Sequence, residues 1–354
     1  MEVENIECTN NGDSSFLLFD SGENHNRINI NNINVKNSIS NGSFIKIKGD
    51  SNVININNSS INNIKSYGPI IENISKKSDI NITNINFYDN KNVNKYKCGN
   101  IQFSKDLNVI IENSIFSNNY CKSNGGAICI NDIKNIGLQL SSNIFYNNTA
   151  ANGGALYLTD GKMIDEEEEN NRKIIMNNNT LYYNKAENFG GGIYSECSKL
   201  YLSSTTTKNT IIYNKAGIIG GGLYSPSNVN KTTFNIEKWS IKNNTVNSQI
   251  DNIGSKPSFI TLDTKLPTYN KNNEITVTTG DKISLKFVLH DEYGNRFIDT
   301  TNYYSSLILK LSLQKIMVNS EGKNENDYYI IEDNNGVYNN KQFKLMGNSC
   351  ILNN

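Results

Sequence analysis

Proline is scarce in this chain of 354 residues, with 4 copies, and there are only 1 Trp and 2 His. The two histidines, His25 and His290, stand too far apart in sequence to argue for an acid–base pair or a Ser-His-Asp arrangement. Net charge is absent as well: 34 Lys and Arg balance 34 Asp and Glu, so no overall field draws the chain to nucleic acid or to an anionic membrane. No apolar run approaches the ~20 residues that a membrane-spanning helix needs. The opening MEVENIECTNNG is acidic and polar and does not read as a signal peptide. CxxC spacing is missing too. Cys8, Cys98, Cys121, Cys129, Cys197 and Cys350 exclude a zinc-type site, while disulfides and free buried thiols both stay open. P-loop, G-x-G-x-x-G and H-E-x-x-H motifs are absent from any fitting context, and no metal or cofactor is expected.

Asparagine is what the chain has in excess, at roughly a fifth of the residues against a much lower average usage. Codon bias would produce this, and so would structure. Asn tolerates the left-handed backbone of tight turns and stacks in hydrogen-bonded ladders. The same excess creates N-x-S/T sequons at Asn41, Asn57, Asn58, Asn73, Asn81, Asn147, Asn178, Asn230 and Asn243, which chance alone would supply in number.

One unit recurs in register: FSNNYCKSNGGAICI from Phe116, FYNNTAANGGALYL from Phe145, YYNKAENFGGGIYS from Tyr182 and IYNKAGIIGGGLYS from Ile212. Anchored on the first apolar residue after the glycines, it extends backwards through Leu17, Ile45, Ile71, Ile101, Ile128, Leu156, Ile193 and Leu223, at intervals of ~28 residues. Between anchors lie further short runs with apolar residues at every second position, such as NVININ from Asn52, which say strand and not helix. Short strands that cannot bury their own apolar side must stack on the next unit, which is the logic of a solenoid of about eight or nine coils. The pairs Gly125–Gly126, Gly153–Gly154, Gly191–Gly192 and Gly221–Gly222 are expected to serve the turns. An antiparallel sandwich of the same strands would need two-residue hairpin turns, which are not seen.

The GGAI, GGAL, GGGI and GGGL segments, each after an F-x-N-N-like stretch, resemble the GGAI/FxxN repeats of polymorphic outer membrane proteins, in the class of pectin-lyase-like right-handed parallel β-helices. The likeness is good from Phe116 to Ser225 and fades towards Leu17, where SYGP and KCGN replace the glycine pair. The resemblance implies a surface or secreted module for adhesion or recognition. The order of such a helix, a Lys-Pro-Ser-x-Ile segment and a TGD…DEYGN region is similar to the ectodomains of large surface and receptor-type proteins of anaerobic fungi. That likeness implies attachment to a membrane domain in a longer protein, with the helix outside the cell.

The expected organisation is all-β: parallel β-helix repeats over residues 1–248, a linker at 249–258, and a partial immunoglobulin-like β-sandwich over 259–354 with strands at Glu274–Thr278, Ile283–Leu289 and Leu307–Leu313 around a DEYGN turn. The alternation that sends Leu156 inward sends Tyr157 outward, so Tyr157, Tyr194 and Tyr224 form one outer column with Cys129, Gln102, Glu72 and Lys46. That column is the candidate contact for an extracellular carbohydrate or protein, or a ladder that only stiffens the sheet. For catalysis on this fold the carboxylates must cluster, and Asp79, Asp89, Asp106, Asp132 and Asp160 occur singly and out of column. The acidic insert Asp165–Arg172 lacks the spacing of a calcium loop and reads as a solvated loop. A non-catalytic recognition module is therefore expected, with a carbohydrate-active enzyme and a structural spacer as its alternatives.

Overall fold

The computed structural model describes residues 1–9, 14–160, 173–197, 201–202, 208–226, 236–263, 287–297, 303, 312–318, 324–330 and 349–351. They fall into two units, Met1–Lys256 and Pro257–Asn354. In the first unit the anchor residues pair as the repeat predicts. Leu17, Ile45, Ile71, Ile101, Ile128, Leu156, Ile193 and Leu223 lie side by side in parallel register, and Ile253 continues the row.

One coil shows the plan. Ile128–Ser141 crosses two faces, Ile144–Tyr146 lies on a third, Thr149–Ala150 follows, and a glycine turn leads into Leu156–Asp160 on the first face again. The chain is thus a parallel β-solenoid of about seven turns, a little fewer than the sequence suggested. The difference lies in what is counted: among the described residues the first face has nine strands and the second face seven.

The corners of each coil explain the asparagine excess. Asn32, Asn58, Asn84, Asn113, Ser142 and Asn178 occupy the corner between the second and third faces, all with φ between +48° and +54°. A second left-handed column runs Asn5, Asn37, Asn63, Asp89, Asn118, Asn147, Tyr183, Tyr213 and Asn243. Asn and Gly adopt this backbone at least cost, and Asn holds most of these corners, with Asp89, Ser142, Tyr183 and Tyr213 as the exceptions. The third bend belongs to Gly125, Gly153, Gly190 and Gly220, with φ from +61° to +72°. In the two glycine triplets the left-handed residue is therefore the first glycine, which the expected pairs at 191–192 and 221–222 left out. Gly126, Gly154, Gly191 and Gly221 serve close packing instead, because a Cβ on any of the first three would run into the carbonyl oxygen of the next glycine in the column.

Buried asparagines hold neighbouring coils together. In the column Asn90, Asn119, Asn148, Asn184, Asn214 and Asn244, each Oδ1 accepts from the backbone N–H of the residue one coil earlier. Each Nδ2 donates to a carbonyl of the preceding coil, as Asn119 does to Phe87 O at 2.9 Å. A second column runs Asn143, Asn179, Asn209. Inside, Phe87, Phe116 and Phe145 stack in a fully buried row, with Phe116 and Phe145 centroids 4.9 Å apart. The F-x-x-N signature is thus two rows: an aromatic for the core, then a carboxamide for the corner.

Two expectations change here. Residues 249–258, read as a linker, carry the strands Gln249–Ile250 and Ile253–Gly254, and the latter adds a parallel rung to the first face. Sparse apolar spacing hid them, since a two-residue strand has no period to show. The second unit pairs antiparallel throughout its described strands: Pro257–Leu262 with Phe287–Asp291 and with Ser349–Ile351, and Ser312–Val318 with Asn324–Ile330. The DEYGN turn forms as expected, with Asp291 Oδ1 accepting from the N–H groups of Tyr293 and Asn295 at 3.0 and 2.8 Å. The strand expected at Glu274–Thr278 lies outside the described residues, as do most of those at Ile283–Leu289 and Leu307–Leu313.

Candidate functional site

The tyrosine column on the first face is in register. Tyr157 pairs with Tyr194 and Tyr194 with Tyr224, and the ring centroids are 4.7 and 5.4 Å apart. The column is less open than alternation implied. Tyr224 is 3% exposed because Phe189 stacks on it at 4.7 Å, and Tyr157 and Tyr194 are half-buried. Burial pushes the Tyr157 hydroxyl up to about 12. The Tyr194 hydroxyl donates to Glu196 Oε2 at 3.1 Å.

Further down the same column the face is tied over. Cys129 forms a disulfide with Cys98, and both are buried. The neighbouring Lys97 pairs with the buried Glu72 carboxylate at 3.1 Å, which also accepts from Ser43 Oγ at 2.6 Å and has Lys46 at 3.9 Å. The segment 93–99 is therefore a strap across the first face, and Glu72 with its partners fastens it. Sequence alternation assigns a side chain to the outside of a strand; it does not say what the turns then lay on top.

Like the second face, whose outward Asn29, Asp79 and Asn81 are exposed, the third face is open. Its outward positions in the N-terminal coils are polar, as at Asn34, Ser60 and Asn86. In later coils they become Ile115 and Ile144, 41% and 37% exposed, and in the next column Tyr146, Tyr182 and Ile212. Beside them sit Tyr183 and Tyr213 in the left-handed corner, with φ of +56°, 51% and 43% exposed. Tyr146 stacks on Tyr182 at 4.7 Å and Tyr183 on Tyr213 at 5.4 Å, so four tyrosines form one cluster. Sequence reasoning passed over them, although a signal existed: YYN and IYN place Tyr where four other coils read Asn-Asn or Asp-Asn.

The single carboxylates are dispersed over the solenoid. Asp79 lies on the second face, Asp106 at its start, Asp89 at a third-face corner and Asp132 at the bend between the first two faces. Among the described residues no group of three His, Cys, Asp or Glu is placed to hold a metal ion. His25 Nδ1 lies 2.7 Å from Ser51 Oγ, and His290 Nε2, in the second unit, lies 2.8 Å from Thr261 Oγ1. No helix among the described residues is long and apolar enough to cross a membrane. The acidic insert Asp165–Arg172 and the sequon at Asn230 lie outside the described residues.

The sequons follow from the corners. In N-N-T at Asn147, Asn178 and Asn243, the first Asn is the exposed left-handed residue, the second is the buried column residue, and Thr opens the next strand. Asn73 is 0% exposed, with its carboxamide bonded to Ser75 and Ser78. A solenoid corner thus writes an acceptor motif for reasons of its own. In comparison with known proteins, the chain matches no family model, no curated protein and no solved structure.

Proposed function

We propose that the chain is a non-catalytic recognition module, exposed at or outside the cell surface as part of a larger protein, and that its contact face is the outer surface of a right-handed β-helix of the GGAI/FxxN kind. The observation that carries this reading is the open cluster of Tyr146, Tyr182, Tyr183 and Tyr213 on the third face. Large amphipathic rings held on a rigid sheet make contact area at little entropic cost. Two of them occupy a backbone position that costs ~1 kcal/mol or more for a residue of this kind, and strain kept at a surface is a mark of use. The Cys98–Cys129 disulfide supports an oxidising compartment. This contact face replaces the first-face column of Tyr157, Tyr194 and Tyr224, whose far end is closed by Phe189.

The test is a binding panel on the expressed chain: acidic and basic peptides, neutral and anionic polysaccharides, with reducing ends and unsaturated products assayed in the same wells. Binding to any probe that depends on Tyr183 and Tyr213, without product, is expected. Product formation would mean a carbohydrate-active enzyme. Silence across the panel would leave a structural spacer.

A further inference from the structure

We infer that Asn243 carries an N-linked glycan whose first sugar lies on the outer face of the Tyr213 ring. The inference goes beyond the recognition reading and rests on its extracellular placement, since such a sugar is added along the secretory route. Sequons are common in so Asn-rich a chain, and the motif alone selects none of them. What sets Asn243 apart is the coil before it. Exposed carboxamides in the corner ladders reach back one coil: Asn63 Nδ2 donates to Asn37 Oδ1 at 2.7 Å, Asn84 to Asn58 at 3.1 Å and Asn147 to Asn118 at 2.8 Å. Nδ2 is also the atom that takes a glycan. At Asn243 the same reach meets a ring, because Ile212 pairs with Lys242 and Lys215 with Thr245, which sets Tyr213 one rung before Asn243. A ring offers no Oδ1, and the Asn243 side chain makes no hydrogen bond among the described residues. Asn243 is exposed, Asn244 is buried and fixes the corner, and Thr245 is half-buried.

Tyr213 presents the matching surface. One face of its ring covers Tyr183, 15° from parallel at 5.4 Å, and the other faces the rung of Asn243, where no aromatic ring of the described residues lies on it. The C–H groups of a sugar ring pack on such a face, the negative side of the aromatic quadrupole. The other exposed sequons lack this arrangement. Asn147 has its tyrosine, Tyr183, on the following coil, while its Nδ2 turns the opposite way to Asn118. Asn178 Nδ2 donates to Ser142 Oγ at 3.3 Å, and Asn58 and Asn81 follow Asn32 and Asn55 in their columns. Asn41, one rung before Tyr67, is half-buried and donates to Thr9 O at 2.6 Å.

The transfer joins Asn243 Nδ2 to the anomeric carbon of an oligosaccharide carried on a lipid diphosphate. Nδ2 loses one of its two protons, and the lipid diphosphate leaves with the electron pair of the broken C–O bond. The glycan then covers the end of the tyrosine cluster at Tyr213 and leaves Tyr146 and Tyr182 to a partner. It also gives the costly left-handed tyrosine at 213 a task that Asn could not perform there.

The experiment secretes the full chain from a eukaryotic host behind a cleavable leader, trims its glycans to the protein-linked N-acetylglucosamine, and maps every sequon by glycopeptide mass spectrometry. Melting temperatures are compared for the parent, Thr245→Ala, Tyr213→Asn, Tyr213→Phe, and each Tyr213 variant combined with Thr245→Ala. The same set made in a bacterial periplasm carries no sugar and corrects for the substitutions themselves. Asn is the residue of neighbouring coils, so Tyr213→Asn keeps the corner. The expected result is an occupied Asn243, a bare Asn73, and a melting temperature about 2 °C higher with the Asn243 sugar than without it. Tyr213→Phe should keep that gain and Tyr213→Asn should lose it. A bare Asn243 beside other occupied sequons overturns the inference and leaves the recognition reading standing, as does an equal gain in Tyr213→Asn. A folded, secreted chain with every sequon bare overturns it too. If the chain folds in a reducing cytosol but not on the secretory route, the extracellular placement falls and the inference with it.

Discussion

At the scale of single residues, the buried asparagines carry more than any other group. Asn148 uses its whole carboxamide: Nδ2 donates to Phe116 O at 2.9 Å and to Asn184 Oδ1 at 3.0 Å, while Oδ1 accepts from the N–H and Nδ2 of Asn119. Asn148→Ala leaves those partners unsatisfied in a site with no water access, and should lower stability by about 3 kcal/mol or more in urea unfolding. Asn148→Asp should be worse, because a carboxylate would face two acceptors. The adjacent Asn147→Ala, at an exposed left-handed corner, should cost only ~1 kcal/mol. A second residue-level expectation concerns alkaline pH. Burial raises the Cys121 thiol from 9.0 to about 12 and Tyr157 from 10.0 to about 12. Both folded values lie above the unfolded ones, so the contribution is complete below pH ~9 and is lost as pH rises towards 12. Unfolding midpoints should fall over that window, and Cys121→Ala should move the onset up towards the tyrosine range. An unchanged onset would exclude Cys121 as its source.

Among elements, the strap 93–99 and the first face form one device. The Cys98–Cys129 crosslink spans 31 residues, and the Glu72–Lys97 pair lies on the same strap. Chain-entropy reasoning gives about 4 kcal/mol for a closed loop of this size. Cys98→Ser/Cys129→Ser should therefore lower the melting temperature by several degrees, and reductant should do the same to the parent chain and nothing to the variant. Release of the strap should also raise the exposure of Glu72 and Gln102 to hydrogen exchange while leaving the third face protected. That outcome would separate the two faces: one closed by its own turns, one left open for contact.

For the molecule as a whole, register is the property that matters. Thr180 pairs with Thr210, Leu181 with Ile211 and Asn184 with Asn214, so a coil is a removable unit. Deleting Leu181–Thr210 joins Thr180 to Ile211 in register and reconnects Asn148 to Asn214. The shortened chain should still unfold cooperatively with a proportionally smaller urea dependence, as stacked repeats do. Because the deletion takes Tyr182 and Tyr183 with it, third-face binding should disappear while folding survives. Loss of folding would show that the coils are not interchangeable.

The strands and their register were legible from local chemistry. Period-two alternation, one apolar anchor per unit and Gly or Asn at each bend are demands of the backbone, and a residue states them in its own position. That is why Leu17 to Leu223 pair as spaced, and why F-x-x-N and Gly-Gly mark a corner. What lies over a face is decided at long range. Tyr224 is closed by Phe189, Cys129 by Cys98 and Glu72 by Lys97, each from a turn on another part of the path. Alternation alone could not distinguish that covered column from the open one at Tyr183 and Tyr213. Stacking of coils fixes which side chains meet, and only the folded turns determine which of them still meet solvent.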